Sequence, residues 1–134
     1  MNIQFTVQSI KVYQCLCDQT RLRILNLLLD GPLCVCHLAE ILKLDQPKIS
    51  RHLKALKAAD AVETERCYNW TIYRLGSKRA SLLEANLKCL QDLRGEEPLF
   101  QKDLERRERT VSAILAGDCT DLPAQIRCIA EGKC

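Results

Sequence analysis

Aromatic side chains are scarce in this chain of 134 residues, which holds one Trp, three Tyr and two Phe, 4% in all. Its core must therefore be built from Leu, Ile, Val and Ala, a mixture that favours packed helices over sheets. No apolar run approaches the roughly 18 residues needed to cross a bilayer. The start Met1-Asn2-Ile3-Gln4-Phe5 lacks the basic flank and long apolar stretch of an export signal. A soluble, cytoplasmic protein without a membrane partner is expected. No internal repeat or low-complexity segment is present, and the length suits one core with an appendage better than two domains.

Cysteine, by contrast, is abundant. Nine occur, and an odd number without an export signal argues against a disulfide framework. They are expected as thiols, serving as small core residues, ligands or reactive groups, and spacing has to decide between these roles. The net charge of +3 says little about nucleic acid, but its distribution says more. From Gln46 to Lys57 the chain carries Lys48, Arg51, His52, Lys54 and Lys57 without one carboxylate.

Hydrophobic periodicity predicts a first helix over 3–17 and a second, capped by Asp18 or Thr20, that buries Leu22, Ile24, Leu25, Leu27, Leu28 and Leu29 before Asp30-Gly31-Pro32. A short third helix spans Cys34 to Leu42 and breaks at Leu44-Asp45. Asp45-Gln46-Pro47 opens a fourth, running to about Asp60 with Ile49, Leu53 and Leu56 inward. A short helix, a tight turn and a basic amphipathic helix are the parts of a helix-turn-helix. The period then changes to two across Val62–Cys67 and Trp70–Leu75, a β-hairpin. Ser77 is the expected cap of a fifth helix carrying Leu82, Leu83, Leu87, Leu90 and Leu93, closed by Gly95. The expected organisation is a mainly α unit over 1–95, in the order α-α-α-α-β-β-α, and a cysteine-containing helical or irregular extension over 96–134.

Three stretches, Asp18-Gln19-Thr20-Arg21-Leu22-Arg23-Ile24-Leu25, Leu33-Cys34-Val35-Cys36-His37-Leu38-Ala39-Glu40-Ile41-Leu42 and Asp45 through Leu56, together with Trp70-Thr71-Ile72-Tyr73-Arg74-Leu75, resemble the arsenic-repressor (ArsR/SmtB) family of winged-helix metal sensors. The resemblance covers about residues 8 to 93. It implies a homodimer that binds double-stranded operator DNA, with Gln46, Ser50 and Arg51 at the base-reading positions of the fourth helix. Lys48, Lys54 and Lys57 are expected to hold phosphates, with His52 in the same first turns. The hairpin becomes the wing, with Arg66, Asn69 and Arg74 as contact candidates, although Tyr68 stands where the family usually has glycine. Trp70 and Tyr73 read as packing residues at its base. The dimer is expected to form through the first and fifth helices, using Leu82, Leu83, Leu87 and Leu90.

Cys34-Val35-Cys36 is the most informative chemistry. Thiolates are soft donors suited to arsenite, antimonite, cadmium and lead. Residues two apart on a regular helix project about 200° from one another, so joining both sulfurs to one atom is expected to unwind the third helix. By resemblance, this Cys-x-Cys is the family's arsenic and soft-metal site, and arsenite, or its congener antimonite, is the expected inducer with no catalytic cofactor. The family's arsenic version has a further cysteine where Ala39 stands here. Cys15 and Cys17 are the donors named to complete the site, and His37 is a nitrogen alternative that favours zinc or cadmium. Cys17, Cys67 and Cys89 also read as small buried residues, and Cys119, Cys128 and Cys134 are left as a second site. No histidine lies between Ser77 and Arg94, which rejects the zinc site that some relatives carry on the fifth helix.

Three rival readings stand beside this one. Within the regulators, cadmium or lead, or a thiol redox signal, could replace arsenite. Outside them, Cys15 and Arg21 have the Cys-x5-Arg spacing of a phosphatase or arsenate reductase loop. Asp18 puts a negative charge where the oxyanion would sit and no strand pattern precedes it, so no enzyme is expected.

Overall fold

The computed structural model describes residues 7–67 and 70–115 of the chain. In order these form α1 (Val7–Leu16), α2 (Gln19–Leu28), β1 (Leu33–Cys34), α3 (Val35–Leu42), α4 (Gln46–Ala58), β2 (Val62–Cys67), β3 (Trp70–Leu75), α5 (Ser81–Leu93) and α6 (Pro98–Leu115). This is the expected mainly α winged helix-turn-helix, with one strand more than the period-two pattern announced. Asn69, Cys119, Cys128 and Cys134 lie outside the described residues.

Local chemistry starts the helices that frame the site. The Asp18 carboxylate accepts from the Arg21 amide at 3.1 Å and caps α2. Asp45 does the same for α4, accepting from the Lys48 amide at 2.8 Å, with Pro47 in the first turn. Between them α3 ends on Lys43, whose φ of 55° is left-handed and turns the chain into α4. Ile24, Leu25, Leu27, Leu38, Ile49, Leu53 and Leu56 are all fully buried and form the core that joins α2, α3 and α4. Because Ile49, Leu53 and Leu56 face that core, the polar positions of α4 are turned to solvent.

The sheet has the order β1-β3-β2, both pairs antiparallel. Glu63 pairs with Arg74 and Glu65 with Ile72 across the hairpin, while Leu33 pairs with Tyr73 and Cys34 with Ile72 on the other edge. Gly76 ends the hairpin at a close approach, since a Cβ there would meet the Asp60 carbonyl oxygen at 2.3 Å.

Two expectations about α5 are corrected. Ser77 is not its cap: its hydroxyl and amide donate to Glu63 at 2.9 and 3.2 Å, and the helix starts four residues later behind Ala80. Leu83, Leu87 and Leu90 do not form a free dimer face, because they are buried in the chain's own core, with Leu82 packed beside them. Among the described residues the exposed large apolar side chains are instead Ile10 and Tyr13 on α1 and Leu93 on α5.

The extension beyond Gly95 opens with α6, which packs on α2 and α3 and contributes Phe100 to their core. Arg23 donates twice to Asp103, at 2.8 and 2.9 Å, and the Asp103 side chain is completely buried. Arg107 donates to the Leu27 carbonyl at 3.1 Å and Arg106 to that of Ile41 at 3.5 Å. No helix among the described residues is long and apolar enough to cross a membrane.

Candidate metal centre and nucleic-acid interface

The thiol pair sits where strand becomes helix. Cys34 is the last residue of β1 and the residue before α3, with extended backbone angles (φ −89°, ψ 165°), while Cys36 lies in the first turn of the helix. The expected 200° divergence therefore does not apply, because only one of the two cysteines is helical. Their sulfurs lie 2.7 Å apart with no unwinding. The His37 ring adds Nδ1 at 3.0 Å from Cys34 Sγ. The candidate ligand atoms of these three residues all lie within 4.8 Å of one another, and no other such group of histidine, cysteine or acidic side chains occurs among the described residues.

Cys34 is buried, Cys36 half-buried. The more buried thiol keeps its proton and donates it to its neighbour. That hydrogen bond, followed by burial, pushes the Cys34 thiol far above its ordinary range, and the same bond holds Cys36 below its own. Cys36 is thus the readier thiolate and nucleophile. Burial also lowers His37, which favours the neutral, ligating imidazole. The ring stacks on Trp70 of β3, with centroids 6.4 Å apart and planes inclined by 15°.

Cys15 and Cys17 are not brought to this site within the chain, and His37 stands in the cluster where they were expected. Cys15 is buried on α1, and burial raises its thiol. Cys17 is exposed rather than buried, as is Cys89. The Cys15–Arg21 spacing builds no phosphate loop: it runs from one helix through the Asp18 cap into the next, and Arg21 donates to His52 Nδ1 at 3.2 Å.

Along α4, Gln46, Lys48, Ser50, Arg51, Lys54 and Lys57 are exposed. Gln46, Ser50 and Lys54 follow one another at intervals of four and so share one face. Lys57 reaches back to the Thr64 hydroxyl at 3.2 Å. His52 is half-buried, accepting from Arg21 and lying 3.8 Å from Asp18, which ties α4 to the cap of α2. On the hairpin Arg66 is exposed, whereas Arg74 is half-buried and paired with Glu65.

The two sets of residues meet. A cavity of about 480 Å³ is lined by Cys34, Val35 and Cys36, by Gln46 and Ser50 of α4, and by Trp70 and Thr71 of β3. Sequence reasoning missed Trp70 and Thr71 as part of this site. The only signal was the two-residue strand Leu33–Cys34, too short to carry a period.

Residues 18–64, which span the cap of α2, the thiol pair, α4 and the start of the hairpin, match the family model described as bacterial regulatory protein, arsR family. The chain is 42% identical over 86 residues to the arsenic resistance transcriptional regulator ArsR1 of Pseudomonas putida, covering 63% of this chain and 67% of that protein. It is 36% identical over 88 residues to the arsenical resistance operon repressor of Escherichia coli, covering 62% and 75%. Among solved structures it resembles a homodimeric winged helix-turn-helix DNA-binding domain from Mycobacterium bovis, with 25% identity, a TM-score of 0.56 and coverage of 73% and 94%. A thiol pair at the mouth of α3, a basic α4 exposed beside it, and relatives of this identity and coverage lead to one assignment: the chain belongs to the ArsR family of bacterial transcriptional regulators and is not an enzyme.

Proposed function

We propose that the protein represses transcription by binding operator DNA as a homodimer and releases it when Cys34 and Cys36 capture trivalent arsenic or its congener antimony. The observation that carries this reading is the shared cavity: Cys34 and Cys36 line the same space as Gln46 and Ser50, at the N-terminal end of the exposed face of α4. Side chains at that end of a recognition helix are the ones placed to donate to and accept from base edges in the major groove. Arg51 is the third base-reading side chain, and Lys48, Lys54 and Lys57 supply phosphate contacts and affinity. The two curated relatives are named for arsenic or arsenical resistance, in line with soft donors at this point.

Capture is a ligand exchange. Arsenous acid, As(OH)₃, loses two hydroxides as water to the two thiol protons, and two As–S bonds form while one hydroxide stays on arsenic. The Cys36 thiolate attacks first. An arsenic atom with its hydroxide in this cavity competes with DNA for Gln46 and Ser50 and crowds Trp70 and Thr71 at the wing base. No unwinding of α3 is required. The dimer face is carried by Ile10, Tyr13 and Leu93, whose exposed apolar surface a second copy would cover.

Fluorescence anisotropy of a labelled fragment of the protein's own promoter tests this. Arsenite is expected to release wild-type protein and to leave the Cys34→Ser, Cys36→Ser double variant bound. Release of the double variant by arsenite refutes the site.

A further inference from the structure

We infer that Arg21 and His52 are the positioning pair that carries the geometry of the dimer face to the reading helix: one guanidinium ties the end of α1 to α4 and so fixes how a homodimer spaces its two copies of Gln46, Ser50 and Arg51. This rests on the proposal that the protein binds operator DNA as a homodimer, and it names the residues that decide which half-site spacing is accepted. Three observations carry it. Arg21 Nε donates to His52 Nδ1 at 3.2 Å, joining α2 to α4 across 31 positions of chain. Arg21 Nη1 donates to the Gln14 carbonyl at 3.4 Å in the last turn of α1, next to the exposed Tyr13 that a second copy would cover. The Arg21 amide is itself held by the Asp18 carboxylate at 3.1 Å, so the bridging residue is fixed at its backbone as well as at its head.

The bridge works in one protonation state only. A guanidinium can donate but not accept, so Nδ1 must offer a lone pair and His52 must be neutral with its proton on Nε2. Burial favours that neutral ring; Asp18 at the cap of α2 favours the proton, while Arg21 on α2 and Lys48 and Arg51 on α4 oppose it. On the α1 side the facing titratable group is the buried Cys15 thiol, a further hydrogen-bond partner of Arg21, and burial keeps it protonated. A proton on Nδ1 removes the acceptor and sets a cation against Arg21, which opens the tie between α2 and α4. His52 stands between Arg51 and the fully buried Leu53, so a shift of α4 redirects base-reading side chains. Phosphate contacts are sequence-independent, so the loss falls on discrimination between DNA sequences rather than on binding to DNA at large.

The test is fluorescence anisotropy of the full-length protein on its own promoter, on that promoter with one base pair inserted between half-sites located by footprinting, and on a scrambled fragment. Arg21→Ala and His52→Ala should each lower the preference for promoter over scrambled DNA by about tenfold. Both should also bind the inserted promoter as well as the native one, which wild type should reject. The double variant should lose no more than either single, because the two residues act as one contact. His52→Asn, whose Oδ1 replaces Nδ1 as acceptor, should keep the preference and keep it as the pH falls below 6.5, where wild type loses it. Circular dichroism confirms that the alanine variants are folded, and the comparison of wild type with His52→Asn needs neither of them. Folded alanine variants with wild-type preference, losses that add in the double variant, or an acid profile that His52→Asn shares with wild type overturns the inference. Wild-type protein that ignores its promoter, or binds it as a monomer, overturns the repressor reading beneath it, so the two failures are told apart.

Discussion

Where α6 packs on α2 and α3, polar groups are consumed by the fold: Arg23 is bonded twice to a completely buried Asp103, Arg107 holds the Leu27 carbonyl and Arg94 holds Asn26 at 2.7 Å. At the opposite end of α3 the reverse holds. Cys34 precedes the helix without making a side-chain cap bond, and Cys36, Gln46 and Ser50 face a cavity. A helix start built for stability looks like that of α4, with a carboxylate on its orphan amides. The start of α3 gives up that contact and keeps a soft donor in reserve. Polar atoms locked into the structure maintain the fold, and those left facing a cavity are the ones a ligand or a base pair can claim.

This contrast is open to attack from both sides. The largest effect is expected on the α6 side: Asp103→Ala strands the Arg23 guanidinium in a buried contact and lowers stability by about 3–5 kcal/mol, measured by urea unfolding, while arsenite still releases the folded fraction from DNA. Asp45→Ala, which removes the cap of the reading helix, should cost about 1 kcal/mol, seen as a lower Tm, and weaken promoter binding as the first turn frays around Gln46.

Acid supplies a third test. His37 and His52 are both held below their ordinary value of 6.5, first by burial. A base with a lowered pKa is protonated more readily in the unfolded chain, so its stabilising contribution is intact above 6.5 and is lost as the pH falls below it through the folded values. Denaturant midpoints should therefore drop on acidification over that window, and His52→Gln should flatten the drop. A flat profile in wild type would contradict the burial of His37 and the half-burial of His52. The smallest effect on stability is expected at the cavity: Cys36→Ser should shift it by no more than about 0.5 kcal/mol. In wild type, iodoacetamide should label Cys36 ahead of Cys34 and Cys15, and arsenite should protect it, as peptide mass spectrometry can show.

The helices were legible because their signals are local. Asp18 and Asp45 announce caps, Ile49, Leu53 and Leu56 repeat at helical spacing, and the alternation from Val62 to Leu75 declares a hairpin, all within a few residues of one another. The cysteine pair was legible by type and spacing but not by shape. Its geometry depends on Cys34 pairing with Ile72, a partner 38 positions away, and nothing near Cys34 encodes that bond. Ser77 misleads for a related reason: a hydroxyl before a helical pattern reads as a cap, but Glu63 of β2, 14 positions earlier, takes both its donors. The leucines of α5 were correctly read as one apolar stripe, although what covers that stripe is a tertiary matter.

By itself, then, the sequence determined the kinds of element, their order, the basic exposed face of the fourth helix and the closely spaced thiols at Cys34 and Cys36, because each follows from side-chain type and short-range periodicity. Only the tertiary structure decided that Cys34 is extended rather than helical, that His37 and Trp70 complete the thiol cluster, and that this cluster shares a cavity with Gln46 and Ser50. Those facts arise from contacts between segments distant along the chain, and the energy that selects them comes from packing the common core rather than from any local preference.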